Sequence, residues 1–152
     1  MADQVFLENV PAISLTKDTV CRMYQLIDQA KTDAKFQELI YPITAGLPNK
    51  DYQGEINRIF NWAKRTIRYT RDPYGVEMVQ DVWATINRGR ADCDDFTILL
   101  AAMAEVMGAP SRIVTVSTRA DKEPVHVYPE VDRKSTRLNS SHIQKSRMPS
   151  SA

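Results

Sequence analysis

The chain has 152 residues, 43% of them hydrophobic, and a formal net charge of +1. That length supports one domain with a real core and excludes two comfortable ones, while its longest apolar run, 96–107, is broken by Thr97 and Glu105 and falls far short of the roughly 20 residues that span a bilayer. The charge is uneven: residues 133–152 hold five basic residues and no acid, so residues 1–132 carry 15 basic against 19 acidic ones, about −4, with no basic stripe and no case for nucleic acid as the main partner. The opening MADQVFLENV carries Asp3 and no basic, apolar leader, which implies a cytoplasmic product, or a virion component made without a secretory signal. Two cysteines, Cys21 and Cys93, are too few for a disulfide framework and read as free thiols.

Residues 1–15 read as irregular. The stretch 16–31, TKDTVCRMYQLIDQAK, has Thr16 as its N-cap and Val20, Met23, Tyr24, Ile27 and Ala30 at helical spacing. Cys21 lies one residue off that stripe and reads as a buried or half-buried structural thiol. Residues 33–40 form a second short helix, and YPITAGLPNK, 41–50, reads as a loop because it holds two prolines and a glycine. These 50 residues make an N-terminal helical extension. The core domain, 51–132, opens with a helix over 51–69, whose apolar face includes Tyr52, Ile56, Ile59, Phe60, Ala63 and Ile67 despite Gly54 near its start. Pro73 and Gly75 mark a turn after it. Residues 76–87, VEMVQDVWATIN, fit either a short helix or an extended arm. RGRAD is a loop that delivers Cys93.

A helix follows, with Asp92 as its N-cap and Asp94 and Asp95 in its first turn. Phe96, Leu99, Leu100, Met103, Val106 and Met107 give it a broad apolar face, so it is central and buried; Gly108 and Pro110 end it. RIVTVS, 112–117, is a strand, TRADKEP a charged turn, and VHVYPEV, 125–131, a second strand that alternates valines with His126, Tyr128 and Glu130. The two strands form an antiparallel hairpin. The last segment, RKSTRLNSSHIQKSRMPSSA, shows no period of 2 or 3.6 and reads as disordered. It resembles translated adapter or vector sequence, with a natural disordered tail as the alternative, so it is set outside the fold and its His142 is assigned nothing.

A cysteine at a helix N-terminus meets unpaired N–H groups and the positive end of the helix dipole, both of which favour the nucleophilic thiolate and can receive an oxyanion. The flanking aspartates oppose this by like-charge repulsion. A partner base or cation is therefore required, and His126, on the face opposite the valines, is the candidate in 1–132.

At this point GRADCDDFTILLAAMAEVMGAPSRIVTV and HVYPEV, with the lead-in NWAKRTIRYTRDP and VQDVWATINRG, resemble the transglutaminase-like superfamily, over about residues 50–131 and most like its small bacterial and phage-encoded members. The resemblance implies a papain-like α+β fold: a helical N-terminal part, and a central cysteine-bearing helix packed on a small antiparallel sheet. It implies Cys93 as nucleophile and His126 as general base, with a protein or peptide as substrate, either hydrolysed or transferred. Asp92, Asp94 and Asp95 could hold a metal with Cys93 and His126, but no second Cys or His stands at ligand spacing, so neither metal nor cofactor is expected. The family's third residue, an Asp or Asn on the next strand, has no counterpart before Asp132, so the domain reads as C-terminally truncated. Other readings stand beside these. Cys93 could be a core thiol and His126 structural, and the whole could be a degenerate binding or structural module, such as one in a phage particle. The aspartates could serve as caps or as partners of Arg88, Arg90 or Arg112. Trp83 could line the cleft, hold an oxyanion or simply pack, and Tyr128 and Glu130 could border the cleft.

Overall fold

In this computed structural model the chain is described over residues 4–7, 12–71, 77–116, 126–132 and 145–147, with side chains for 17–71, 79–116 and 126–132. The expected turns at 70–75 and 118–124 fall largely or wholly outside those residues. The elements run β1 (Gln4–Leu7), α1 (Ala12–Lys31), α2 (Ala34–Thr44), α3 (Tyr52–Thr66), β2 (Arg68–Tyr69), β3 (Glu77–Gln80), α4 (Val82–Arg88), β4 (Arg90–Ala91), α5 (Cys93–Val106), β5 (Ser111–Val116), β6 (His126–Asp132) and β7 (Lys145–Arg147). Three small sheets accompany the helices: β1 antiparallel to β3, β2 parallel to β4, and the antiparallel series β5-β6-β7. The architecture is α+β, as expected.

The molecule is organised around α5. Ile98, Leu99, Ala101, Ala102, Met103 and Ala104 are fully buried, and Leu100 is nearly so, which makes the helix apolar on every side. α1, α3 and β6 pack on it. α1 contributes Met23, Leu26 and Ile27, α3 contributes Ile56, Ile59 and Ala63, and β6 contributes Val127 and Val131. The expected hairpin is present in full register, with Val116 opposite His126 and Ser111 opposite Val131. Pro110 and Asp132 extend it by one bond, the Asp132 N–H donating to the Pro110 carbonyl at 2.8 Å.

Several boundaries differ from those read in the sequence. α1 begins at Ala12 rather than Thr16, and β1 lies within the segment read as irregular. Cys21 is exposed, because the buried positions of α1 are Thr19, Met23, Leu26, Ile27 and Ala30 and leave it outside. α2 continues through Pro42 to Thr44. A proline in the last turn sacrifices one helical bond, and burial of Ile40 and Thr44 against the core outweighs it. The ambiguous segment 76–87 divides at Asp81, becoming β3 before it and α4 after it, with the Asp81 carboxylate accepting from the Ala84 N–H at 2.7 Å. Within the segment expected to be disordered, residues 145–147 form β7 against β6; the rest of 133–152 lies outside the described residues. No helix among the described residues is long and apolar enough to cross a membrane.

Candidate active site

The loop that delivers Cys93 is shaped by Gly89. It closes α4 in the left-handed region, at φ 64°, where a glycine bears no side-chain penalty. The chain then runs as β4 beside β2, and the Arg68 and Thr70 N–H groups donate to the carbonyls of Gly89 and Ala91, each at 2.8 Å. α5 starts immediately after. The Asp92 carboxylate accepts from the N–H groups of Asp94 (3.0 Å) and Asp95 (3.1 Å), as its expected N-cap role requires. Of the three leading N–H groups of the helix, that of Cys93 is the one this cap does not take. The Cys93 carbonyl accepts the Thr97 hydroxyl at 2.7 Å, which pins the first turn.

The three aspartates have separate duties. Asp95 is buried and accepts from the Gln80 backbone N–H (2.9 Å) and from Gln80 Nε2 (2.5 Å), tying the end of β3 to α5. Asp94 Oδ1 lies 3.6 Å from Cys93 Sγ, which donates to it. Arg112, one of their expected partners, pairs instead with Glu130 of the facing strand, donating from Nε at 2.6 Å and from its terminal nitrogen. That pairing buries Glu130 away from the cleft.

Cys93 is half-buried. Burial first, then the carboxylates of Asp94 and Asp92, push its thiol up to about 12, and a hydrogen bond from the Val127 backbone pulls the other way. The helix N-terminus alone would have depressed it. The Val127 contact is informative, because it seats the sulfur against β6 immediately beside His126. Cys93 and His126 line one cleft of about 350 Å³. Phe60, Ala63, Ile67, Phe96, Leu100, Val127 and Pro129 form apolar walls, and Lys64, Arg68, Tyr69, Thr97 and Tyr128 complete the lining. His126 Nε2 is buried and makes no hydrogen bond among the described residues. The His126 ring stacks near Tyr128, with centroids 6.3 Å apart.

Sequence reasoning set Tyr69 at the end of the apolar face of a 51–69 helix, whereas it lies on β2 and lines the cleft. It stacks on Phe96 at 6.4 Å, and burial, followed by the nearby Cys93 sulfur, raises its phenol, opposed by a hydrogen bond with Arg71. Its place on a two-residue strand beside β4 leaves no periodic signal. Trp83 is not in the cleft. Its indole N–H donates to the Asp33 carboxylate at 2.7 Å and its ring meets Phe36 edge-on at 6.0 Å, which fixes α4 to the start of α2 and holds the Asp33 carboxyl below its ordinary range. β7, beyond β6, carries Lys145, Ser146 and Arg147 and no Asp or Asn. Among the described residues no group of three or more His, Cys, Asp and Glu is placed to hold a metal.

A thiol on the buried helix, a histidine strand beside it and a shared cleft form the arrangement that the sequence pattern implied. The family model described as the transglutaminase-like superfamily matches residues 37–137. The chain belongs to that superfamily. The match begins within α2, so part of the N-terminal helical segment lies inside the family region. A crystal structure of a proposed cysteine protease from Cytophaga hutchinsonii superposes with a TM-score of 0.51 at 18% identity, covering 86% of this chain and 45% of that one. At that identity the likeness shows the fold, and this transglutaminase-like chain spans less than half the length of that protein. No curated protein sequence matches it.

Proposed function

We propose that this transglutaminase-like domain carries out thiol-dependent acyl transfer or amide hydrolysis, with Cys93 as nucleophile and His126 as general base. The observation that carries the reading is the shared cleft, where the sulfur lies against the β6 backbone next to His126. The raised thiol sets the order of events. A neutral thiol attacks only as it loses its proton, so His126 takes that proton while the sulfur bonds to the carbonyl carbon. The carbonyl oxygen becomes an oxyanion, and the uncapped Cys93 N–H is the donor for it. Collapse breaks the carbon–nitrogen bond, and the amine leaves with the proton from His126. Water or a second amine then attacks the thioester, His126 accepts its proton, and the sulfur departs and is reprotonated. The acyl product is a carboxylic acid in the first case and a new amide in the second.

Turnover of a peptide amide or activated ester tests this. Cys93→Ala is expected to abolish it, and His126→Ala to lower kcat/KM by about 10²–10⁴-fold. Activity retained in Cys93→Ala would overturn the reading. A chain in which neither substitution alters anything, because there is no turnover to lose, would be the catalytically silent binding module that so thoroughly protonated a thiol also fits.

A further inference from the structure

The charge of this chain is concentrated in a way its net value hides. Segment 56–71 holds Arg58, Lys64, Arg65, Arg68 and Arg71 and no acid, whereas the rest of residues 1–132 holds 10 basic and 19 acidic side chains. Folding places four of these cations, Arg58, Lys64, Arg65 and Arg68, around two hollows. Arg58, Asn61 and Arg65 recur at three and four along the exposed side of α3, so they share a face. With Ile43 and Lys64 they line a shallow hollow of about 420 Å³. Lys64 also lines the cleft that holds Cys93 and His126, as does Arg68, so the hollow and the cleft adjoin. No acidic side chain lines either one among the described residues. The basic stripe absent from the whole-chain charge thus exists locally, and it leads to the candidate nucleophile.

We propose that the two hollows act together as the specificity surface of the proposed acyl transfer, selecting a polypeptide whose reacting carbonyl belongs to an apolar residue flanked by acidic residues. The cleft supplies the apolar part of the match through Phe60, Ile67, Phe96 and Leu100. The cations supply the charged part. Arg58 and Arg65 lie seven residues apart, about 10 Å along the helix, and an extended peptide covers that distance in about three residues. Two or three neighbouring carboxylates therefore reach both. A nucleic acid fits less well: the cations come from one short segment of an otherwise acidic body, and a long polyanion would meet that body beyond them.

The inference rests on the proposed function, and the experiment separates the two. Peptides share a Leu as the acyl residue and carry three flanking Glu, Gln or Lys residues. At low salt the Glu peptide is expected to exceed the Lys peptide in kcat/KM by about tenfold, a preference that shrinks as salt rises. In Arg58→Glu/Arg65→Glu the preference is expected to reverse. Arg58 donates to the Ala45 carbonyl at 2.6 Å, so Arg65→Gln, which leaves that bond intact, reads the same ratio if the double variant does not fold. Replacing the Leu by Gly is expected to lower turnover of the Glu peptide. Binding of a fluorescent Glu peptide to the Cys93→Ala protein reports the surface without chemistry. Charge-dependent binding with no turnover by the unsubstituted protein would keep the surface and discard the acyl transfer. Turnover with equal rates for Glu and Lys peptides would keep the chemistry and overturn this inference. Displacement of the Glu peptide by a lower concentration of a single-stranded oligonucleotide would also overturn it, in favour of nucleic acid.

Discussion

A thiol in the first turn of a helix feels opposed fields, and at Cys93 the raising influences prevail. The helix end and the Val127 backbone favour the thiolate, while burial, Asp94 and Asp92 favour the thiol, which they push up to about 12. Asp94→Asn removes a negative charge beside the sulfur. In a Cys21→Ser background it is expected to speed iodoacetamide alkylation at pH 8 by about threefold or more, equivalent to a fall of half a pH unit or more in the thiol. An unchanged rate would remove Asp94 from the causes and leave burial and Asp92 to account for the shift. The raised thiol also makes a prediction about stability. An unfolded cysteine loses its proton near pH 8.5, whereas the folded one keeps it until about pH 12. The stability from this group is therefore complete below pH 8.5 and is lost as pH rises towards 12. Between pH 9 and 11 the unfolding midpoint is expected to fall more steeply than in Cys93→Ser, as thermal melts at successive pH values will report. Both candidate residues were legible in the sequence, because a cysteine among aspartates and a strand histidine are chemically distinctive. The raised thiol was only half legible: repulsion by the aspartates was visible, but burial depends on a strand more than thirty positions away.

At the scale of elements, α5 bears the site and the core together. Leu99 is fully buried on it, so Leu99→Ala is expected to cost about 2–5 kcal/mol, measured by denaturant unfolding. A cost below 1 kcal/mol would contradict the central placement of the helix. Gly89 is the second lever. Its positive φ penalises any side chain, and Gly89→Ala is expected to cost about 1 kcal/mol and to lower turnover as well, because the β4 turn it shapes leads directly to Cys93. The long periodic stretches, α3 and α5, were readable, α5 with its cap at Asp92, though α3 ends at Thr66 rather than residue 69 because Arg68 and Tyr69 pair with β4. The segment 76–87 was not, because seven- and four-residue elements are too short to establish a period. α2 overran its expected end because proline in a last turn loses little. The basic surface of α3 and the residues after it was present in the sequence as five cations in 56–71 without an acid, and averaging over the chain concealed it.

For the whole molecule, the α+β architecture and the superfamily were legible because the order helix, cysteine, helix, strand, histidine strand survives in a single sequence. What lay beyond β6 was not, since 133–152 has no period to read. β7 covers the outer edge of β6 over three residues. Deleting 133–152 is expected to remove that cover at a cost of about 1 kcal/mol, a few degrees in the unfolding midpoint, and to leave β6 as an open edge that promotes association. Thermal melts and size-exclusion chromatography would show both effects, and an unaltered midpoint would mean that β7 contributes nothing to the domain.

The central claim is that Cys93 forms a bond to an acyl group and that His126 makes this possible. The most direct measurement is intact-protein and peptide mass spectrometry after brief incubation of the Cys21→Ser protein with an activated acyl ester. The account predicts one added acyl mass on the peptide containing Cys93, reduced strongly in His126→Ala and absent in Cys93→Ala. No added mass on Cys93, or an equal mass with and without the His126 imidazole, would contradict it.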